Sequence, residues 1–173
     1  MLHHFRNLFA QAVRPLSLGW AEPLHAGIAA YERGDYAVAL ETLEPLAEQG
    51  LPRAQFLVGK CHARAGAGSA GPAIASIRKA AESGLAAAQV ELGLRYLAGN
   101  KVKPDAQQAL GWFARAASQA SAEGQYRLGV CHRDGLGTPP EAARANRWFR
   151  LAAAQGHRAA AEALSAAREP LLD

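Results

Sequence analysis

The sequence has few of the residues that build disulfide frameworks, sheets or membrane spans. Its 173 residues include only two cysteines, too few for a small fold held together by disulfides. No apolar run approaches the roughly 18–20 residues that cross a bilayer, and the Val–Ile runs typical of strands are absent. These absences exclude disulfide-rich, membrane-spanning and sheet-based folds.

Aromatic residues are also scarce, at 7% of the chain, although 50% of the residues are apolar. Alanine dominates the apolar residues, which suits thin helices that pack closely together. The apolar content is too high for a disordered chain, and a chain of this length buries roughly 70% of its unfolded surface in one domain. Composition therefore favours a single helical domain.

The net charge of +4 is distributed unevenly along the chain. Residues 21–50 hold six acids and one base, whereas residues 51–103 hold eight bases and two acids. A basic region can indicate nucleic-acid binding, but these bases are spread along helical segments without an RNA- or DNA-binding motif. We therefore interpret them as solvated helix faces and expect no nucleic-acid partner.

A pattern of small and apolar residues recurs along the chain at intervals of 34 or 36 residues. It is clearest at residues 109–120 and 145–156, which share a Trp-Phe pair at the same offset, and it is present at residues 39–50 and 73–84. Four copies at a near-fixed period indicate an array of helical repeats. Stacked neighbours in such an array bury a surface that one repeat cannot bury alone.

The first helix of each repeat contains a glycine in its middle, namely Gly27, Gly59, Gly93 and Gly129. A glycine there costs about 1 kcal/mol relative to alanine, which is tolerable where the missing side chain lets a neighbouring helix approach. The second helices supply the larger apolar side chains, and one residue of each Trp-Phe pair is expected to fill the gap between repeats. Thr138 to Glu141 also predicts a capping box at the start of a helix.

These periods divide the chain into an N-terminal segment, four repeats and a closing helix. The boundaries are 1–20 for the segment, 21–50, 51–84, 85–120 and 121–156 for the repeats, 157–168 for the closing helix and 169–173 for the tail.

The third repeat carries a pattern that resembles the Sel-one-like repeat, a relative of the tetratricopeptide repeat: Ala88, Leu92, Gly93, Tyr96, Gly99, Val102 and Asp105. The first-helix glycine lies 16 residues before the second-helix alanine in the third and fourth copies, but 14 and 12 residues before it in the second and first. The last two copies thus resemble full Sel-one-like units and the first a tetratricopeptide unit. His62 and His132 replace the family's tyrosine.

The resemblance implies an all-α solenoid of stacked helix–turn–helix repeats that winds as a right-handed superhelix. It implies a scaffold or adaptor that binds a protein or peptide, with no catalysis and no cofactor. A hydrolase using His132 or Cys131 is the alternative function, although the sequence shows no converging set of titratable groups.

The N-terminal segment has apolar residues at helical spacing, with two arginines and no acid. The apolar positions are Leu2, Phe5, Leu8, Phe9, Ala12 and Val13. We expect it to cover the open end of the array, with a transit-type or membrane-surface segment as the alternatives. Because no secretory signal is visible, a cytoplasmic location is expected.

Two further motifs have simple structural interpretations. Residues 66–71 read G-x-G-x-x-G, but a helix rather than a strand precedes them, which predicts a flexible turn instead of a nucleotide site. The Cys-His pairs at 61–62 and 131–132 lie two repeats apart, roughly 20 Å, which is too far for one metal ion or one disulfide. Neighbouring residues on a helix also point about 100° apart, so neither pair forms a nucleophile and its base. We expect no metal site.

One face of the first helices predicts a partner-binding groove. The residues of this face lie two positions along the helix from the residues that are expected to be buried. In a tetratricopeptide-like array this face of the first helices lines the concave side, and large apolar residues there indicate an interaction site. The basic residues among them favour a partner with acidic or carboxyl-terminal groups. The competing interpretation is that the N-terminal segment or a tight superhelix covers this face. The predicted residues are Leu24, Ile28, Tyr31, Phe56, Lys60, Arg64, Val90, Leu94, Leu97, Tyr126, Val130 and Arg133.

Overall fold

A computed structural model describes residues 19–65 and 70–167, and these residues form nine α-helices and no strand. Each helix packs against the next along the chain, as predicted for a solenoid of helix pairs. The N-terminal segment up to residue 18, residues 66–69 and residues 168–173 lie outside the described residues, and of the turn predicted at 66–71 the last two residues belong to a helix. The helices are α1 Ala21–Arg33, α2 Tyr36–Glu48, α3 Pro52–Ala65, α4 Ala70–Glu82, α5 Ala86–Ala98, α6 Ala106–Ser118, α7 Ala122–Asp134, α8 Ala142–Ala154 and α9 Arg158–Ala166.

The odd-numbered helices are the first helices of the repeats, and α9 is a first helix that follows the fourth repeat and packs against α8. The core follows the array in three clusters, one in the first two repeats, one in the centre and one at the C-terminal end. None of the described helices combines the length and the apolar character needed to cross a membrane.

A large side chain from each second helix rests on the glycine of its own first helix. A Cβ atom built on the glycine would lie between 2.5 and 2.7 Å from that side chain, so the prediction that glycine permits close approach is confirmed. All four large residues are at most 1% exposed. The pairs are Gly27 with Leu43, Gly59 with Ile77, Gly93 with Phe113, and Gly129 with Phe149.

The two members of each Trp-Phe pair pack in different places. Phe113 and Phe149 lie inside their own repeats, over the glycines. Trp148 is half-buried and packs against the central cluster. That cluster includes Trp112 and Phe113 of the third repeat and Leu128 and Cys131 of the fourth, so Trp148 packs where these two repeats meet.

Buried glutamines tie first helices to the ends of the preceding second helices. Nε2 of Gln55 donates to the carbonyl oxygen of Ala47 at 3.2 Å, and Nε2 of Gln89 donates to that of Ala81 at 3.1 Å. In the third and fourth repeats, a second glutamine donates a hydrogen bond to the side-chain oxygen of the first. Nε2 of Gln119 donates to Oε1 of Gln89, and Nε2 of Gln155 donates to Oε1 of Gln125, both at 2.8 Å.

Ser83 occupies the position that Gln119 holds one repeat later, and it is too short to complete the same arrangement. Oε1 of Gln55 is therefore buried without a hydrogen-bond partner among the described residues. We expect Ser83→Gln to raise the free energy of unfolding by about 1 kcal/mol, because it supplies the missing donor. Urea denaturation measures this change. Gln119→Ser is the matched control, and it should lower the free energy of unfolding. An unchanged free energy of unfolding for Ser83→Gln would show that the unpaired Oε1 of Gln55 does not limit stability.

The predicted capping box at Thr138 is wrong. Helix α8 begins only at Ala142, and Glu141 takes the N-cap position in an extended conformation without a side-chain cap. The backbone N–H of Glu141 donates instead to the carbonyl oxygen of His132 at 2.6 Å. This bond links the loop to α7, and α8 starts only after it.

Candidate binding surface

Ten of the twelve predicted groove residues reach the surface, and two do not. Leu24 and Val90 are each 7% exposed and belong to the core, so they cannot contribute to a contact surface. Phe56 and Tyr126 occupy the same repeat position as Leu24 and Val90, three residues before the first-helix glycine. Their longer rings nevertheless reach solvent. The ten accessible residues, called here the candidate surface, are Ile28, Tyr31, Phe56, Lys60, Arg64, Leu94, Leu97, Tyr126, Val130 and Arg133.

The part of the candidate surface on α1, α3 and α5 combines apolar and charged groups. Nζ of Lys60 lies 3.8 Å from Oε2 of Glu91 on the next first helix and 5.9 Å from the centroid of the Phe56 ring. Burial raises the pKa of Tyr31, and the nearby positive charge of Arg64 opposes that rise. Charges and rings from three successive repeats therefore share one face.

Glu91 and Arg95 belong to this face, although the sequence reasoning missed them. Arg95 is 8% exposed, and its Nε and Nη2 atoms lie 3.0 and 2.9 Å from Oε1 of Glu91. The separation of four residues between Glu91 and Arg95 is the sequence signal that predicts an ion pair on one helix face. Because Glu91 is shared by Lys60 and Arg95, the charge of Lys60 is partly neutralised. Arg64 is exposed and has no ion pair among the described residues.

The C-terminal part of the candidate surface is occupied by contacts within the chain. The ring of Tyr126 stacks on His157 with centroids 4.6 Å apart and lies 5.8 Å from Phe149. Arg133 pairs with Asp134 at 2.7 Å, and its guanidinium lies 5.8 Å from the centre of the Phe149 ring. Tyr126 and Arg133 thus already have partners within the chain.

The two Cys-His pairs contain thiols that lie in the core. Cys61 and Cys131 are free and fully buried. Burial raises the pKa of both thiols, that of Cys131 to about 11, so both remain protonated near neutral pH and lack the thiolate that a nucleophile requires. Nε2 of His62 lies 3.6 Å from Glu44. In the part of the chain that the structure describes, no group of three or more His, Cys, Asp or Glu side chains could hold a metal ion.

Comparison with known proteins identifies the repeat. The Sel1 repeat family model matches residues 86–121 and 122–157, which hold α5 with α6 and α7 with α8. These are the two repeats in which 16 residues separate the first-helix glycine from the second-helix alanine. No curated protein matches the chain.

Solved structures of similar proteins cover about three quarters of the chain. A Sel1 repeat protein from Oxalobacter formigenes is 33% identical and superposes with a TM-score of 0.67 over 73% of this chain and 96% of that one. A protective antigen of uropathogenic Escherichia coli strains, which displays an SLR fold, is 34% identical with a TM-score of 0.70, over 75% of this chain and 28% of that one. Cysteine-rich protein B of Helicobacter pylori shares the fold at 20% identity, with a TM-score of 0.61 over 75% of this chain and 95% of that one. The repeat spacing, the matched units and this likeness together show that the chain belongs to the Sel1 repeat family.

Proposed function

We propose that this protein is a non-catalytic scaffold that binds a peptide or protein segment on the α1, α3 and α5 part of the candidate surface. One observation carries the proposal: five large apolar side chains from three successive first helices are only partly buried, and the Arg64 side chain on the same face is exposed. A contiguous apolar patch on a folded domain usually marks an interaction site, and repeat arrays present such extended faces to their partners. The five residues are Ile28, Tyr31, Phe56, Leu94 and Leu97.

The charges on this face favour an acidic partner with apolar anchors. Lys60 and Arg64 lie on this face, and Arg64 has no ion pair among the described residues. The acid of this face, Glu91, is already shared by Lys60 and Arg95. Complementary charge steers association and selects among partners, so a segment with carboxylates next to large apolar residues fits best.

The contacts around His132 and Cys131 support a binding role over the hydrolase alternative. A nucleophile needs an adjacent base that a third group orients. The pKa of Cys131 is raised by its burial, and Nδ1 of His132 has no hydrogen-bond partner among the described residues. The membrane-surface alternative rests on the N-terminal segment up to residue 18, which lies outside the described residues.

Acidic peptides selected from a random library against the full chain test this function. The double variant Phe56→Ala/Leu94→Ala should weaken binding by at least about tenfold, because it removes two apolar anchors. Arg64→Glu should weaken binding most at low salt, where charge interactions are least screened. Fluorescence anisotropy gives the affinities, and circular dichroism checks that the helices remain.

Val38→Ala/Leu151→Ala is the matched control, because these side chains are 50% and 43% exposed on α2 and α8, away from the candidate surface. It should leave the affinity unchanged. The proposal fails if the selected peptides bind the Phe56/Leu94 variant and Arg64→Glu as tightly as they bind the unaltered chain.

A further inference from the structure

A cleft of about 470 Å³ lies between the second helices of the third and fourth repeats, away from the α1, α3 and α5 surface. Helices α6 and α8 form its walls, and α7 lies between them. The volume falls within the range of small-ligand sites. The lining combines apolar side chains with three basic ones: Leu110, Ala114, Leu128, Trp148, His132, Arg144 and Arg147.

His132 is the least expected residue of this cleft. It is 8% exposed, and its Nδ1 atom is enclosed without a hydrogen-bond partner among the described residues. Buried polar groups in folded proteins are nearly always paired, so an unpaired one calls for a partner. The equivalent residue one repeat earlier is Tyr96, which is buried to a similar extent. The fold therefore accepts a tyrosine at this position, and the array does not require a histidine there.

Two other residues of the cleft are basic where the preceding repeat has uncharged residues. Arg144 and Arg147 stand where the third repeat has Gln108 and Gly111, whereas the tryptophan of the wall is common to both. The preceding repeat has its own cleft, which is lined by the cations Arg78, Lys101 and Lys103 and also by Tyr96 and Asp105. Among the described residues, the later cleft is therefore distinguished by its imidazole and by a lining without a carboxylate, not by a larger number of basic residues.

The arginines of the cleft are available to a ligand. Arg147 is exposed and has no carboxylate partner among the described residues. Arg144 pairs with Glu141 at 2.9 Å, but the two side chains are 63% and 47% exposed, and exposed ion pairs of this kind are weak. A competing carboxylate could replace Glu141 at little cost.

We propose that this cleft binds a carboxylate carried on an apolar or aromatic body. The apolar part lies against Trp148 and Leu110, and the carboxylate meets Arg144 and Arg147, since the guanidinium group matches carboxylate geometry. The imidazole of His132 lines the same cleft, but its enclosed Nδ1 atom lies out of reach of a ligand there. Such a ligand is either a small aromatic acid or the carboxyl-terminal residue of a peptide. The site is separate from the proposed peptide-binding surface and does not depend on it.

Titration of the full chain with three probes tests the cleft and separates the two sources of ligand. The probes are 3-phenylpropionate, an acetylated tetrapeptide that ends in phenylalanine with a free carboxyl terminus, and the same peptide with a terminal amide. Isothermal titration calorimetry should show that the free-acid peptide binds at least about tenfold more tightly than the amide. Preference for the peptide over 3-phenylpropionate identifies a chain terminus as the ligand; the reverse identifies a small acid.

The preceding repeat supplies the matched variants. Arg147→Gly and Arg144→Gln should each weaken binding by about tenfold. His132→Tyr should abolish binding while preserving or raising the melting temperature, a combination that a purely structural role of His132 would not produce. Phe56→Ala/Leu94→Ala should leave cleft binding intact. Equal affinity for acid and amide, no binding at millimolar concentrations, or full binding by Arg147→Gly and His132→Tyr would each overturn the proposal.

Discussion

Truncation of Phe113 to alanine is expected to lower the free energy of unfolding by about 3–5 kcal/mol. The ring is 0% exposed and lies over Gly93, where a Cβ atom would come within 2.6 Å of Cε1. Its removal leaves a cavity between α5 and α6, and no neighbouring side chain at Gly93 can fill it. Urea denaturation followed by circular dichroism measures the loss.

Phe113→Leu is the control for this truncation. A leucine keeps most of the buried volume, so the variant should lose less than about 1.5 kcal/mol. An unchanged denaturation midpoint for Phe113→Ala would mean that the ring does not hold α5 and α6 together.

The same substitution, glycine to alanine, should have opposite effects at two helical positions. At Gly59 a Cβ atom would lie 2.7 Å from Cγ1 of Ile77 and 2.9 Å from the carbonyl oxygen of Ala73. Because the backbone of α4 cannot move aside easily, Gly59→Ala should destabilise by about 1–3 kcal/mol. Gly111 is exposed on α6 with nothing within 4 Å, so Gly111→Ala should stabilise by up to about 1 kcal/mol.

Thermal and urea denaturation of the two glycine variants measure both changes. Opposite signs are the expected result, because helix propensity alone favours alanine at both positions. A gain of stability in both variants would show that the first-helix glycines are not required for close approach.

The repeat period predicted that the first-helix glycines let a neighbouring helix approach, and Gly59 and Gly93 do lie beneath Ile77 and Phe113. It could not tell which member of a Trp-Phe pair fills a repeat, because adjacent residues point about 100° apart and either ring has a suitable size. Only the position of Gly93 beneath Phe113 decides between them.

The candidate surface was harder to predict than the fold. Leu24 and Val90 share their repeat position with Phe56 and Tyr126, and only side-chain length decides which of the four reach solvent. The pairing of Lys60 with Glu91 joins two different helices, so no spacing within one helix could reveal it.

The cleft was also missed, because its residues come from three helices. The sequence marks His132 as a replacement for the family's tyrosine and as a residue of the hydrolase alternative, but no motif joins it to Arg144 and Arg147. The signal in the sequence is that all three positions differ between the third and fourth repeats.

The central claim, that α1, α3 and α5 form the binding face, is tested most directly by photo-crosslinking. A selected acidic peptide that carries a benzophenone group is bound to the full chain and irradiated, and mass spectrometry locates the linked residues. We predict crosslinks on Ile28, Tyr31, Phe56, Leu94 and Leu97 or their immediate neighbours. Crosslinks confined to α2, α4, α6 and α8, with none on the three first helices, would contradict the claim.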